Sequence, residues 1–187
     1  MSLSIFWDNS NIWLVGKKVS QFKEPGDEFA FRIHFANLFD FVLNGRTCNY
    51  SYVAGSIPPD TDQLWQRFKN LNISVYKQER GAQSGCEVAI DEIIQLEMAN
   101  RVLDVPPGKM VLLTGDGSGY SDGRGFIKQL ERAKNHKWEI EVVSWDAGCN
   151  RYLRAFAQDN GTYRSLEPVY YNVTFINNKR WVKSSSI

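Results

Sequence analysis

Val111-Leu112-Leu113-Thr114 is an apolar, β-branched run that opens directly into Gly115-Asp116-Gly117-Ser118-Gly119-Tyr120-Ser121-Asp122-Gly123. Pro106-Pro107-Gly108 bounds it upstream. A short apolar run without alternation reads as a strand buried on both faces, the kind that parallel sheets contain. After the loop, Phe126, Ile127, Leu130 and Ala133 recur at helical spacing. Strand, Gly-rich loop and helix in that order put Asp116 just past the carboxyl end of a central strand, where open α/β sheets keep their ligands. Four glycines mean that the loop turns sharply or lets something approach closely. The phosphate-loop readings fail on spacing: no Gly-Lys-Ser/Thr is present, and no window completes the three glycines of a dinucleotide fingerprint. Asp116 and Asp122 are then either turn and cap residues or anchored carboxylates.

The rest of the chain alternates strand and helix patterns. Leu3-Ser4-Ile5-Phe6-Trp7 reads as the first strand and ends in Asp8-Asn9-Ser10-Asn11. Residues 15–28 read as loop or short helix, and Phe29 to Leu43 as a helix stopped by Asn44-Gly45. Thr47 to Ala54 is a second strand, Pro58-Pro59-Asp60 opens a helix, and Ile73 to Tyr76 is a third strand followed by a basic loop from Lys77 to Arg80. Glu87 to Val102 carries the best helical pattern, with Val88, Ala89, Ile93, Leu96 and Met98 as its apolar positions. There Glu87 and Asp91 stand at i, i+4 on one face near its start, either as solvated first-turn acids or as a pair sharing a cation. Trp138 to Trp145 is a fifth strand, Gly148 to Ala157 a helix, and Val169 to Val182 a hairpin turning at Asn177-Asn178. Strands alternating with helices imply a three-layer α/β/α fold around a mainly parallel sheet, with a C-terminal β-hairpin. Right-handed crossovers put Asp8 and Asp116 on one sheet edge.

With 187 residues, the chain suits a single domain spanning 1–187, with 160–187 as a C-terminal extension. A net charge of +1 means that any nucleic-acid binding uses a local patch. Cys48, Cys86 and Cys149 are too widely spaced for a zinc knuckle and odd in number, against a disulfide framework. The absence of a spanning apolar run or a signal pattern points to a cytoplasmic protein without membrane contact. The aromatic tail, Tyr170, Tyr171, Phe175 and Trp181, either extends the sheet or forms a homo-oligomer interface.

Asp8, Glu87, Asp91 and Asp116 thus fall where a parallel sheet places its crevice. Several carboxylates do not share a small crevice ionised without a compensating charge. A hard divalent cation, Mg²⁺ or Mn²⁺, accepts an all-oxygen set, lowers the pKa of a bound water and polarises a phosphoryl oxygen. His34 and His136 are isolated in sequence and read as surface or core residues, so the chain offers no Ser-His-Asp arrangement.

Ile5-Phe6-Trp7-Asp8-Asn9-Ser10-Asn11 resembles the opening motif of NYN domains, a branch of the PIN-like nuclease superfamily. Thr114-Gly115-Asp116-Gly117-Ser118-Gly119-Tyr120 resembles that family's Gly-Asp-x-Asp-Phe element, and Gly85-Cys86-Glu87-Val88-Ala89-Ile90-Asp91 its Gly-Val-Asp helix start. The resemblance implies a PIN-like fold and a metal-dependent ribonuclease, with RNA as partner. It implies Asp8 and Asp116 as metal ligands, Glu87 and Asp91 as the helix acids, and Asn9 and Asn11 as residues positioning the metal shell or a phosphate. Ser118 stands where the family has a second Asp, and Asp122 is the nearest replacement. Arg80, Arg124 and Arg151, with Lys77, Lys128 and Arg154, are candidates for phosphate contacts, and Trp13 or Tyr120 for base stacking. Two other readings use the same residues. One is a haloacid-dehalogenase-type phosphatase with Asp8 as nucleophile, whose acid position is Ser10 here. The other is a non-catalytic RNA- or nucleotide-binding module with a degraded metal site.

Overall fold

Leu3–Asp8 is buried at all six positions, as a strand with helices on both faces must be. In the computed structural model, which describes residues 2–57, 62–79 and 90–183, this strand (β1) lies at the centre of a six-stranded, all-parallel sheet. Its fellow strands are β3 (Tyr50–Ile57), β4 (Ser74–Glu79), β5 (Lys109–Leu113), β6 (Glu139–Ser144) and β7 (Thr162–Ser165). The order across the sheet is β4-β3-β1-β5-β6-β7. The chain therefore builds outward from β1 in one direction, returns, and builds outward from β5 in the other. The reversal falls between β1 and β5, and a crevice opens beyond the carboxyl ends of such a pair.

The alternation of side chains along the strands divides the core in two. Ile5, Trp7, Val111 and Leu113 face one layer, packed against Ile12 and Val19 of α1 (Asn9–Lys23), Phe35 and Leu38 of α2 (Phe35–Leu43) and Phe68 of α3 (Asp62–Asn70). Phe6, Met110 and Leu112 face the other. There they meet Ile94 and Met98 of α4 (Ile90–Asp104), Leu130 of α5 (Phe126–Asn135) and Leu153 of α6 (Arg151–Asn160). Trp7 is edge-on to Phe68 with ring centroids 5.1 Å apart. Truncating so large a buried ring to Ala costs about 3–5 kcal/mol.

Several expectations need correction. Residues 9–23 form a full helix, where a loop or short helix was expected from 15 onward. Its buried positions include Gly16 and Ser20, which break the apolar pattern; a Cβ at Gly16 would lie 2.8 Å from the Phe31 ring. The expected helix from Phe29 begins only at Phe35. Before it, a single 3-10 turn (Glu28–Ala30) leads into strand β2 (Phe31–Ile33), whose burial alternates in, out, in. The pattern of α4 also differs: Ile90, Ile94 and Met98 are buried, whereas Leu96 is exposed. Lys77 lies inside β4, opposite Gly55, and not in a following loop.

The C-terminal segment is not a self-contained hairpin. Thr162–Ser165 supplies the sixth parallel strand beside β6. A short helix α7 (Tyr170–Val173) precedes β8 (Thr174–Ile176), which pairs antiparallel with β2 far away in sequence. The chain does turn at Asn177-Asn178, through a bridge between Ile176 and Arg180. Arg180 then clamps Glu24 at 2.6 and 2.9 Å, and the Tyr170 hydroxyl donates to the same carboxylate at 2.6 Å. These bonds tie the tail to the end of α1 and hold the Glu24 carboxyl below its ordinary range, the Arg180 hydrogen bond first among the causes.

Candidate carboxylate site at the sheet switch point

Trp7 stands opposite Leu113 in the parallel ladder, so the next residues, Asp8 and Thr114, meet where the sheet reverses. Asp8 is only 3 % exposed. Its side chain caps α1, one carboxylate oxygen accepting from the Asn11 backbone N–H at 2.9 Å. The other accepts from the Thr114 hydroxyl at 2.9 Å. The Asn11 side chain in turn accepts from the Gly115 N–H at 2.7 Å. The first turn of α1 and the end of β5 are thereby locked to each other through two separate bridges.

The glycine loop then has to pass a second segment at close range. A Cβ on Gly115 would lie 2.8 Å from the Gly148 carbonyl oxygen, and one on Gly117 would lie 2.5 Å from the Asn150 side chain. The loop therefore fits snugly against residues 148–150, with the Asn150 N–H donating to the Gly115 carbonyl at 2.8 Å. Asp116 emerges from this bend. Its own N–H donates to the Thr114 hydroxyl oxygen at 3.2 Å. One of its carboxylate oxygens accepts from the Ser118 N–H at 3.1 Å and from the Ser118 hydroxyl.

Asp91, in the first turn of α4, completes the cluster. Its carboxyl is pushed up to about 7 by burial, then by the charges of Asp8, Asp116 and Glu92, and by a hydrogen bond with Asp116. Among the described residues, the charges acting on it are all acids. Carboxylates from β1, α4 and the β5 loop are thus close enough to repel one another, and among the described residues no lysine or arginine is a cause acting on Asp91. Beside them Asn9 is 6 % exposed, and its side-chain oxygen is buried without a hydrogen-bond partner among the described residues. All of these donors are oxygens, the set that Mg²⁺ or Mn²⁺ accepts. As the side chains stand, no three His, Cys, Asp or Glu groups among the described residues are gathered closely enough to enclose an ion.

Comparison with known proteins bears on the fold and no further. No family model and no curated protein matches the sequence. A crystal structure of a protein of unknown function from Vibrio parahaemolyticus is similar over 89 % of this chain and 93 % of that one, with a TM-score of 0.60 and 11 % identity. That likeness supports the α/β architecture and is silent on chemistry. Among the described residues no helix is long and apolar enough to cross a membrane.

The remaining candidates separate into groups. Asn11 serves the site as a bridge, and Ser118 as a donor to Asp116. Asp122 is exposed and pairs at 3.7 Å with exposed Arg124, and it is not among the charges that raise Asp91. Arg151 is exposed and lies over the Tyr152 ring. Arg154 is committed to Asp146 at 2.8 Å, and Lys128 to Glu131 at 2.6 Å. Trp13 packs against the core at its edge, and Tyr120 is exposed. Glu87 and Arg80 lie outside the described residues. Sequence reading missed Thr114, Glu92 and Asn150. A threonine ending a buried strand is ordinary by composition, but Asn150 carried a signal: it precedes the helical pattern of α6 and caps it through the Tyr152 N–H at 2.9 Å.

Proposed function

We propose that the chain is a metal-dependent nuclease of the PIN-like, NYN kind, hydrolysing RNA phosphodiester bonds at Asp8, Asp91 and Asp116. The observation that carries this reading is the placement of three acids from three separate elements at the sheet reversal, Asp8 and Asp116 tied through the Thr114 hydroxyl and Asp91 in the first turn of α4, with acids as the charges acting on Asp91 among the described residues. Such an arrangement costs stability unless something positive joins it. Asp8, Asp116 and Asp91 would hold Mg²⁺ or Mn²⁺, with Glu87 as a further candidate ligand. Bound there, the ion would lower the pKa of a coordinated water and offset charge developing on the phosphoryl oxygens. The chain's own groups do the positioning. Thr114 and Asn11 fix the Asp8 carboxylate, and Ser118 fixes that of Asp116.

The test is cleavage of single-stranded oligoribonucleotide in Mn²⁺ by the wild type and by Asp8→Asn and Asp116→Asn. Turnover that EDTA abolishes and that both variants lose, with melting temperature maintained, supports the reading. Turnover that survives both substitutions or persists in EDTA overturns it. A phosphoaspartyl mechanism on Asp8 fits less well, because that carboxylate is buried and both its oxygens are engaged. The non-catalytic alternative draws support from Ser118, which saturates one Asp116 oxygen with two donors. RNA retention without turnover across a range of divalent metals would favour it.

A further inference from the structure

Asn9, Trp13 and Lys17 follow one another at i, i+4 and i+8 along α1, and so form one stripe running away from the carboxylate cluster. The helix rises 1.5 Å per residue, so Lys17 lies about 13 Å along the axis from Asp8. α1 carries Lys17, Lys18 and Lys23 and no acid over its fifteen residues. None of these lysines takes part in an ion pair among the described residues. The Lys17 ammonium sits 5.4 Å from the Trp13 ring centroid and 5.6 Å from that of Phe29. Phe29, in the turn that follows α1, is 80 % exposed, an uncommon position for an unprotected benzyl group. Of the acids nearest in sequence, Glu24 is held by Arg180 and Asp27 by Lys179, while Glu28, beside Phe29, has one carboxylate oxygen buried without a hydrogen-bond partner among the described residues.

Positive charge interleaved with aromatic rings is the chemistry that binds single-stranded nucleic acid. Ammonium groups meet phosphates, and rings stack bases without regard to sequence. The amino terminus of α1 adds a partial positive charge at the end nearest the acids. We infer that the Trp13–Lys17–Phe29 face of α1 is a track for single-stranded RNA, on which the strand lies with its reactive phosphodiester at the carboxylate cluster. The inference rests on the nuclease reading for the direction of the strand and on the α1 surface alone for its binding. Lys17 contacts a phosphate one to two nucleotides from the reactive bond, and Phe29 offers its open face to a base.

The experiment is fluorescence anisotropy of labelled oligouridine with the full chain in EDTA, so that binding is read without turnover. Lys17→Glu and Phe29→Ala each weaken binding by about ten-fold, the scale of one stacked base or its equivalent. Lys17→Ala also lowers the slope of log affinity against log salt by about one. Arg132→Glu, an exposed residue in the last turn of α5, makes the same charge change elsewhere and leaves binding unaltered. Phe29 is exposed and Lys17 half-buried, and unchanged melting temperatures verify the fold. Oligouridine binding that none of the α1 substitutions moves overturns the inference. So does retention of the protein by anionic phosphatidylserine vesicles through these residues in place of RNA. A wild type that binds through α1 but never cleaves in Mn²⁺ refutes the nuclease reading and leaves the track standing.

Discussion

The Thr114 hydroxyl donates to the Asp8 carboxylate at 2.9 Å across 106 residues of chain, and the same oxygen accepts from the Asp116 N–H at 3.2 Å. One buried hydroxyl therefore sets the spacing between the two acids at the sheet reversal. Replacing it with the near-isosteric Val removes one hydrogen bond from the buried Asp8 carboxylate and one from the Asp116 N–H. Thr114→Val is expected to cost about 1–3 kcal/mol by urea denaturation. It is also expected to reduce the stabilisation that Mn²⁺ confers, whereas Thr114→Ser maintains both.

The Asp91 carboxyl has a folded-state pKa of about 7, above its value in the unfolded chain, with burial the leading cause and Asp8 and Asp116 next. Between the ordinary carboxylate range and about pH 7, the folded chain therefore holds a proton that the unfolded chain has released. Metal-free stability falls as pH rises through that window and is level above it. Asp91→Asn is expected to raise the melting temperature at pH 8 in EDTA and to change it little near pH 4. Thermal scans across this range measure the effect. A variant less stable than wild type at pH 8 would mean that Asp91 does not sit among like charges.

Glu141 is 3 % exposed on β6, facing the Arg46 guanidinium at 2.7 Å and that of Arg164 at 2.9 Å. Burial pushes its carboxyl up, but the hydrogen bonds and charges of the two arginines outweigh this and hold it below the usual range. Its contribution is present above the unfolded carboxylate pKa and is lost as the pH falls through the depressed value. Glu141→Gln leaves two partly buried guanidiniums facing a neutral group. Removing one partner from a buried pair costs about 3–5 kcal/mol, so a loss of that order is expected in denaturant titrations at pH 7. The variant is expected to leave Mn²⁺ binding intact, since β6 does not supply the site.

Gly117 packs against Asn150, the cap of α6, with no room for a Cβ. Gly117→Ala pushes the loop off residues 148–150 and displaces Asp116. The expected result is a modest fall in melting temperature with a larger proportional loss of Mn²⁺ affinity by isothermal titration. Equal affinity in the variant would show that the loop's seat does not position the carboxylate.

The central strands and the edge on which the acids fall were legible because apolar runs ending in Asp are strong local signals. β1 is buried throughout and β5 at every position after Lys109, so their patterns reflect little besides burial. α1 was obscured because Gly16 is required by contact with Phe31 and Trp145, not by local propensity. β2 was read as helix because three residues cannot display a period. Its strand identity comes from pairing with β8, nearly the whole chain away. Asp8 and Asp116 were visible from motif and position. The parts played by Thr114 and Asn150 depend on tertiary contacts, Thr114 reaching β1 and Asn150 the glycine loop. The exposed pairing of Asp122 with Arg124 depends on a 3-10 turn between glycines with positive φ at 119 and 123.

A crystal of the full chain soaked in Mn²⁺, with an anomalous difference map collected at the manganese edge, tests the central claim most directly. The expected result is one strong peak at the reversal between β1 and β5, within about 2–2.5 Å of oxygens from at least two of Asp8, Asp91 and Asp116. A map without a peak there, at Mn²⁺ concentrations that saturate ordinary carboxylate sites, would contradict it.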